Sequence, residues 1–311
     1  MERRVVGLAA HVRPVFMLPV LATSVCGALL APSLSAGLAA QHAAAVGGAL
    51  FVAHLRDGLV DGHRRGEEVP RLSEATYRWA TAAAIAVTLG FASLLAATSG
   101  LLAAASVLAL LVLALLHAPY LDTHPVPVTL DYPVGIGLTL VGGFAAQTGV
   151  VTTGVVAVAA NVALLLAGIK VGIDRLDADF DRTVGKRTLP VILGSDGATR
   201  VAVGWFTLTA LVVLGLVIGG VVTRVAAVAV AAALGCAGVT VVAAPRWAVR
   251  VQMALSYVFV GSLFVGLCDG DCVGWTVLPH RFTPSAVGQI QLYLVSGGSQ
   301  LVEHLALTAL L

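Results

Sequence analysis

Two stretches of this chain gather side chains suited to chemistry on a charged ligand. The later one reads Asp174-Arg-Leu-Asp177-Ala-Asp179-Phe-Asp181-Arg-Thr-Val-Gly185-Lys186-Arg187-Thr188-Leu189-Pro190-Val191. If a helix runs through it, residues i, i+3 and i+7 fall at 0, about −60 and about −20 degrees around the axis. Asp174, Asp177 and Asp181 then share one face, Lys170 joins that face one turn earlier, and Asp179 points roughly opposite. Three carboxylates crowded on one helix repel each other, and a divalent cation is the economical way to neutralise them. Their hard oxygens suit magnesium, which takes one or two carboxylates, phosphate oxygens and waters. The earlier stretch, His54-Leu-Arg56-Asp57-Gly-Leu-Val-Asp61, repeats the spacing with His in the first place. Two such acidic helix ends facing each other would hold a diphosphate between them through metal ions. The blander reading, acids that only solvate loop entrances beside arginines, does not explain why the same spacing occurs twice.

The elements that position these residues are membrane spans. The chain has 311 residues, 59% of them hydrophobic and only 11% charged, against about one quarter charged in soluble domains. Its apolar residues fall into runs of about 17 to 24, the length that crosses roughly 30 Å of hydrocarbon. Spans are expected near 15–33, 37–56, 76–97, 100–118, 132–148, 150–173, 200–220, 222–243 and 252–268. The expected fold is therefore all-α, a polytopic transmembrane bundle of about nine helices. The first run is read as an anchor, not a cleaved leader, because equally apolar runs follow it. Residues 1–268 form the expected bundle, and 269–311 an expected tail that is interfacial or packed on it. Small residues at Gly27-Ala28, Gly47-Gly48 and Gly142-Gly143 would let helix backbones approach closely.

Lys and Arg are one-sided. Arg56, Arg64, Arg65 and Arg71 follow the second span, Lys186 and Arg187 the sixth, and Arg246 and Arg250 the eighth, whereas the opposite breaks carry only Arg224. By the positive-inside tendency the N-terminus and both acidic motifs face the cytoplasm of a cell membrane. A net charge of +2 gives no reason to expect a nucleic-acid partner. Of four cysteines, Cys26 and Cys236 lie in apolar runs, and Cys268 and Cys272 fall short of a zinc signature, so all are read as plain apolar or boundary residues.

The second motif, Asp177-x-x-x-Asp181-Arg-x-x-Gly185-Lys186-Arg187-Thr188-Leu189-Pro190-Val191, resembles that of UbiA-type intramembrane prenyltransferases, as does the placing of acidic motifs after the second and sixth spans. The resemblance covers the bundle up to about residue 268. It implies a helical bundle around a central cavity open laterally to lipid, and transfer of a prenyl group from an isoprenyl diphosphate donor to a lipid-soluble acceptor. Carried over, Asp57, Asp61, Asp174, Asp177 and Asp181 are the catalytic, metal-binding acids that hold magnesium, and Arg56, Lys170 and Lys186 contact the diphosphate. Tyr120, Tyr132 or Tyr257 would face the allylic cation. Two features depart from the family pattern. Ala53 and His54 stand where the first motif usually begins Asn-Asp, which leaves His54 to hydrogen-bond a phosphate or the acceptor. The break from His117 to Pro133 carries no Lys or Arg, which leaves the basic role there to His117 or His124.

Quinone-ring precursors, glycerol-ether lipids, carotenoids and tetrapyrroles all suit such a cavity as acceptors. A terpene cyclase on the same scaffold would ionise the same donor and quench the cation internally. An ion-coupled or non-catalytic transport protein would place ionisable groups near the midplane, whereas this chain places nearly all its charges at helix ends on one side, with Asn161 an isolated mid-span polar group. The pair Asp57-Gly58 lacks the continuation used by CDP-alcohol phosphatidyl transferases.

Overall fold

The computed structural model describes residues 2–268 and Cys272, with side chains from Val5 onward. The expected tail otherwise lies outside the described residues. Among these residues there is no strand. Ten α-helices follow in order: α1 (Glu2–Ala9), α2 (Pro14–Leu29), α3 (Ala36–Leu59), α4 (Glu74–Thr98), α5 (Leu101–Leu116), α6 (Pro125–Thr148), α7 (Thr153–Thr183), α8 (Leu189–Ile218), α9 (Ala227–Val242) and α10 (Pro245–Cys268). Eight are long and apolar enough to cross a membrane, some of them with the short turns that abut them, whereas α2 has only 16 residues. Each of the nine expected spans coincides with one helix from α2 to α10, and the chain is an integral membrane protein.

Helix starts follow local chemistry. The side chains of Ser35, Ser73 and Thr152 accept from the backbone N–H three residues on, satisfying one of the donors that a helix start leaves unpaired. Prolines open α2, α6 and α8, where a missing N–H costs nothing. Hydropathy placed several starts too late. α6 begins at Pro125 instead of 132, α8 at Leu189 instead of 200, and α10 at Pro245 instead of 252. In each case the helix extends through polar residues at the basic end of the bundle, which a search for lipid-length apolar runs cannot register. α8 is broken at Gly194, whose φ of 72° departs from the helix.

Packing centres on two long helices. α7 lies against α6, α8 and α10, and α3 against α2, α4, α5 and α6. The largest buried side chains include Tyr77, Phe206, Phe259, Leu140 and Leu165. α2 and α6 meet backbone to backbone, as the small residues there suggest. A Cβ on Gly27 would lie 2.1 Å from the carbonyl oxygen of Leu140, and one on Gly143 would lie 2.2 Å from that of Ser24. Backbone on backbone leaves no side chain free to move aside. Cys268 and Cys272 are paired in a disulfide, which corrects the reading of them as plain boundary residues; Cys26 and Cys236 are free thiols.

Candidate functional site

α7 continues as a regular helix through Asp174, Asp177 and Asp181, so the face inferred from their spacing exists. The first motif ends differently. His54 and Asp57 lie in α3, but the chain then tightens into a π-helical turn at Val60–Arg65 that contains Asp61. A π turn adds a residue per turn, so Asp61 is rotated from where a continued α-helix would put it.

The two motif ends are nevertheless built alike. Asp61 is followed by Gly66 with φ 70°, and Asp181 by Gly185 with φ 77°, a backbone conformation that only glycine adopts without strain. Each glycine turns the chain back on its own helix. The N–H of Glu67 then donates to the carbonyl of Asp61 at 2.8 Å, and that of Lys186 to the carbonyl of Asp181 at 2.9 Å. The π turn takes up the one extra residue in the first copy. Glu67 and Lys186, equivalent in the two copies, meet as an ion pair at 2.9 Å. This pair joins the two acidic ends.

Around that joint four of the five acids have a partner drawn from the chain. Asp174 accepts from Lys170 one turn earlier, and Asp181 accepts from the Thr188 hydroxyl at 3.1 Å. Asp61 accepts from Arg65 at 3.3 Å. Arg65 also grips both carboxylate oxygens of Asp122 and donates to the carbonyl of Pro119. Asp57 faces His117 Nε2 at 3.7 Å, while His117 Nδ1 donates to Asp131. Asp177 is exposed. Among the described residues no three His, Cys, Asp or Glu side chains converge on one point as a ligand set. The five acids line one end of the bundle without forming a closed cage.

Two of their oxygens are buried and accept no hydrogen bond, Asp57 Oδ1 and Asp174 Oδ2. A buried carboxylate oxygen without a donor is costly. One such oxygen at each acidic end, both hard donors, fits a divalent cation such as magnesium. Lys186 lies outside the spans. Burial alone would lower its pKa, but the hydrogen-bonded Glu67 carboxylate and the charges of Asp61 and Asp122 outweigh it, so the ammonium is held above its ordinary value.

The other expected contacts are turned toward backbone. Arg56 donates through Nε and Nη2 to the carbonyl of Ala118, at 3.2 and 2.9 Å. His54 is buried, donates through Nδ1 to the carbonyl of His11 at 3.0 Å, and packs against Phe16. It ties the segment between α1 and α2 to the first motif. Of the two candidates for the basic role in the break before α6, His117 is at the site and His124 is exposed at the start of α6. The fixed positive charges in that region are Arg56 and Arg65, both reaching over from the first motif. Tyr132 packs against Phe16 with ring centroids 5.9 Å apart, while Tyr120 and Tyr257 are exposed. The sequence reading gave no role to Arg65, Glu67, Asp122 or Asp131. The only signal for them was an unusual density of charge at break ends, which does not say who pairs with whom.

This arrangement defines a helical intramembrane protein of the UbiA-type fold. A UbiA homolog from Aeropyrum pernix K1, solved without ligand, superposes with a TM-score of 0.62 at 21% identity, covering 82% of this chain and 98% of that one. A UbiA homolog from Archaeoglobus fulgidus bound to GPP and Mg2+ gives 0.65 at 15% identity, covering 85% and 99%. A digeranylgeranylglyceryl phosphate synthase gives 0.65 at 14% identity, covering 86% and 99%. By sequence, no protein-family model and no curated protein matches.

Proposed function

We propose that this protein transfers a prenyl group from an isoprenyl diphosphate to a lipid-soluble acceptor within the membrane, using magnesium held by Asp57, Asp61, Asp174, Asp177 and Asp181. The observation that carries the reading is the pair of buried carboxylate oxygens that accept no hydrogen bond, Asp57 Oδ1, whose nearest cation is His117 at 3.7 Å, and Asp174 Oδ2, at two acidic helix ends joined by Glu67 and Lys186. Structures of the same fold support it, since a UbiA homolog from Archaeoglobus fulgidus was solved with GPP and Mg2+ and with Cd2+.

Lys170 and Lys186 stand beside these acids and would meet phosphate oxygens. Arg56 and His54 act one step back, holding the walls through the carbonyls of Ala118 and His11. When bound, magnesium would supply the positive charge that stabilises the leaving diphosphate. The carbon–oxygen bond at C1 of the donor breaks, and its electron pair departs on the diphosphate. The allylic cation is then attacked by the nucleophilic atom of the acceptor, which forms the new bond to C1 and loses a proton. Tyr132, held against Phe16, would face that cation, and an apolar surround would keep water away from it. The concentration of Lys and Arg at this end supports a cytoplasmic orientation in the cell membrane.

Detergent-purified protein incubated with radiolabelled geranylgeranyl diphosphate tests the proposal, with magnesium or EDTA and membrane lipids as the acceptor source. Magnesium-dependent consumption that disappears in Asp174→Asn and Asp57→Asn supports it, and the labelled product separates transfer from internal cyclisation. Consumption unaffected by EDTA or by both substitutions would overturn it.

A further inference from the structure

Glu67 has the opposite charge from its counterpart. In the second motif copy, the residue after the left-handed glycine is Lys186; in the first copy the same place holds an acid. The Glu67 side chain is 4% exposed, with Oε2 2.9 Å from Lys186 Nζ and Oε1 3.7 Å from Arg65 Nη1. Oε1 is buried and accepts no hydrogen bond, so the carboxylate is held between two cations with one oxygen only partly satisfied. An anionic side chain, desolvated and gripped by a lysine and an arginine beside two metal-suited acidic ends, presents what a phosphate oxygen would present. The N–H groups of Glu67 and Glu68 both donate to the carbonyl of Asp61, in a turn that follows the left-handed Gly66.

We infer that Glu67 is an internal competitor of the donor diphosphate: its carboxylate occupies Lys186 and Arg65, and a diphosphate must displace it to reach them. Glu67 thereby sets the affinity for the donor and restricts the site to anions strong enough to win this exchange. Singly charged phosphate esters lose the competition, and a diphosphate with magnesium wins. The inference rests on the proposed function, because it needs the diphosphate site to lie at these acidic ends.

Binding of radiolabelled inorganic pyrophosphate with magnesium to the full-length protein in detergent separates the two. Wild type is compared with Glu67→Gln, with Glu68→Gln as a neighbouring charge control, and with Lys186→Met alone and combined with Glu67→Gln. Elution on size exclusion and the thermal midpoint verify folding. The expected result is pyrophosphate affinity raised about tenfold in Glu67→Gln, the scale of one charge-assisted contact, with Glu68→Gln unchanged. In the Lys186→Met background the gain should vanish, because the contested cation is gone. In donor turnover the same substitution should lower KM and leave kcat within about twofold, a split that loss of a merely structural contact would not produce. Wild-type binding of pyrophosphate with no gain in Glu67→Gln, or the same gain in Glu68→Gln, would overturn the inference and leave the proposed function standing. If wild type binds no pyrophosphate at any magnesium concentration, the proposed function falls.

Discussion

Replacing Arg65 by alanine should be among the most damaging single changes at this end of the bundle. Its guanidinium holds both oxygens of Asp122, the carbonyl of Pro119 at 3.1 Å and Asp61 at 3.3 Å. Asp122 is only 5% exposed, so the substitution leaves a buried carboxylate without its cation. Removing one partner of a buried pair costs about 3–5 kcal/mol. Arg65 retains 19% side-chain exposure, and solvent reaching that edge argues for the lower figure, about 3 kcal/mol. At roughly 2–4 °C per kcal/mol, the thermal midpoint should fall by about 6–12 °C. Arg65→Lys keeps the charge but not the planar fork, and should lose about half as much. The assay is heating in detergent with a thiol-reactive dye, because the buried free thiol of Cys236 becomes accessible on unfolding. A cycle with Asp122→Asn isolates the pair, and the double variant should recover about 1–3 kcal/mol relative to the sum of the singles. An Arg65→Ala midpoint within about 2 °C of wild type, or strictly additive shifts, would refute the view that this contact carries fold stability.

The glycines make a paired prediction. Gly27→Ala should destabilise by about 1–3 kcal/mol because its Cβ would meet the Leu140 carbonyl, whereas Gly90→Ala in α4, with open space around it, should be neutral or stabilising by up to about 1 kcal/mol in the same thermal assay. Lys186 provides a pH test. Its pKa is raised in the folded protein above 10.5, so its contribution is fully present below that value and is lost as pH rises through the higher folded value. The stability gap between wild type and Lys186→Met should therefore stay constant from neutral pH to about pH 10 and narrow only above it, whereas a gap that closes by pH 9 would contradict the pairing with Glu67. Asp174→Asn should cut magnesium-dependent donor consumption by at least about 100-fold, the scale on which removing a group that stabilises transition-state charge is felt, and a variant retaining a third of wild-type turnover would remove Asp174 from the metal site.

Much of the candidate site was legible because helical periodicity is local. Asp174, Asp177 and Asp181 lie on one face for the same reason that Lys170 reaches Asp174, four residues along a regular helix. The first motif was less faithfully read. Its i+7 acid, Asp61, falls in a π turn, which the residue types alone do not announce. Arg56 and His54 were expected at the diphosphate, yet both donate to backbone carbonyls contributed by distant segments.

Sequence by itself determined that the chain is a helical membrane bundle, since hydrocarbon thickness sets the length of an apolar run and unpaired backbone is too costly in lipid for anything but helices in a chain of such runs. It also determined that two acidic helix ends carry the charge, because spacing along a single helix is fixed by its own hydrogen bonds. Tertiary structure decided which charges meet. Arg65 and Asp122 are 57 residues apart, His117 reaches back to Asp57, and Glu67 finds Lys186 on the other motif copy. Charge interactions have no sequence period, and in a low-dielectric setting any cation can satisfy any nearby acid. The choice is made only when α3 and α7 are packed into one bundle and two left-handed glycines turn their ends toward each other.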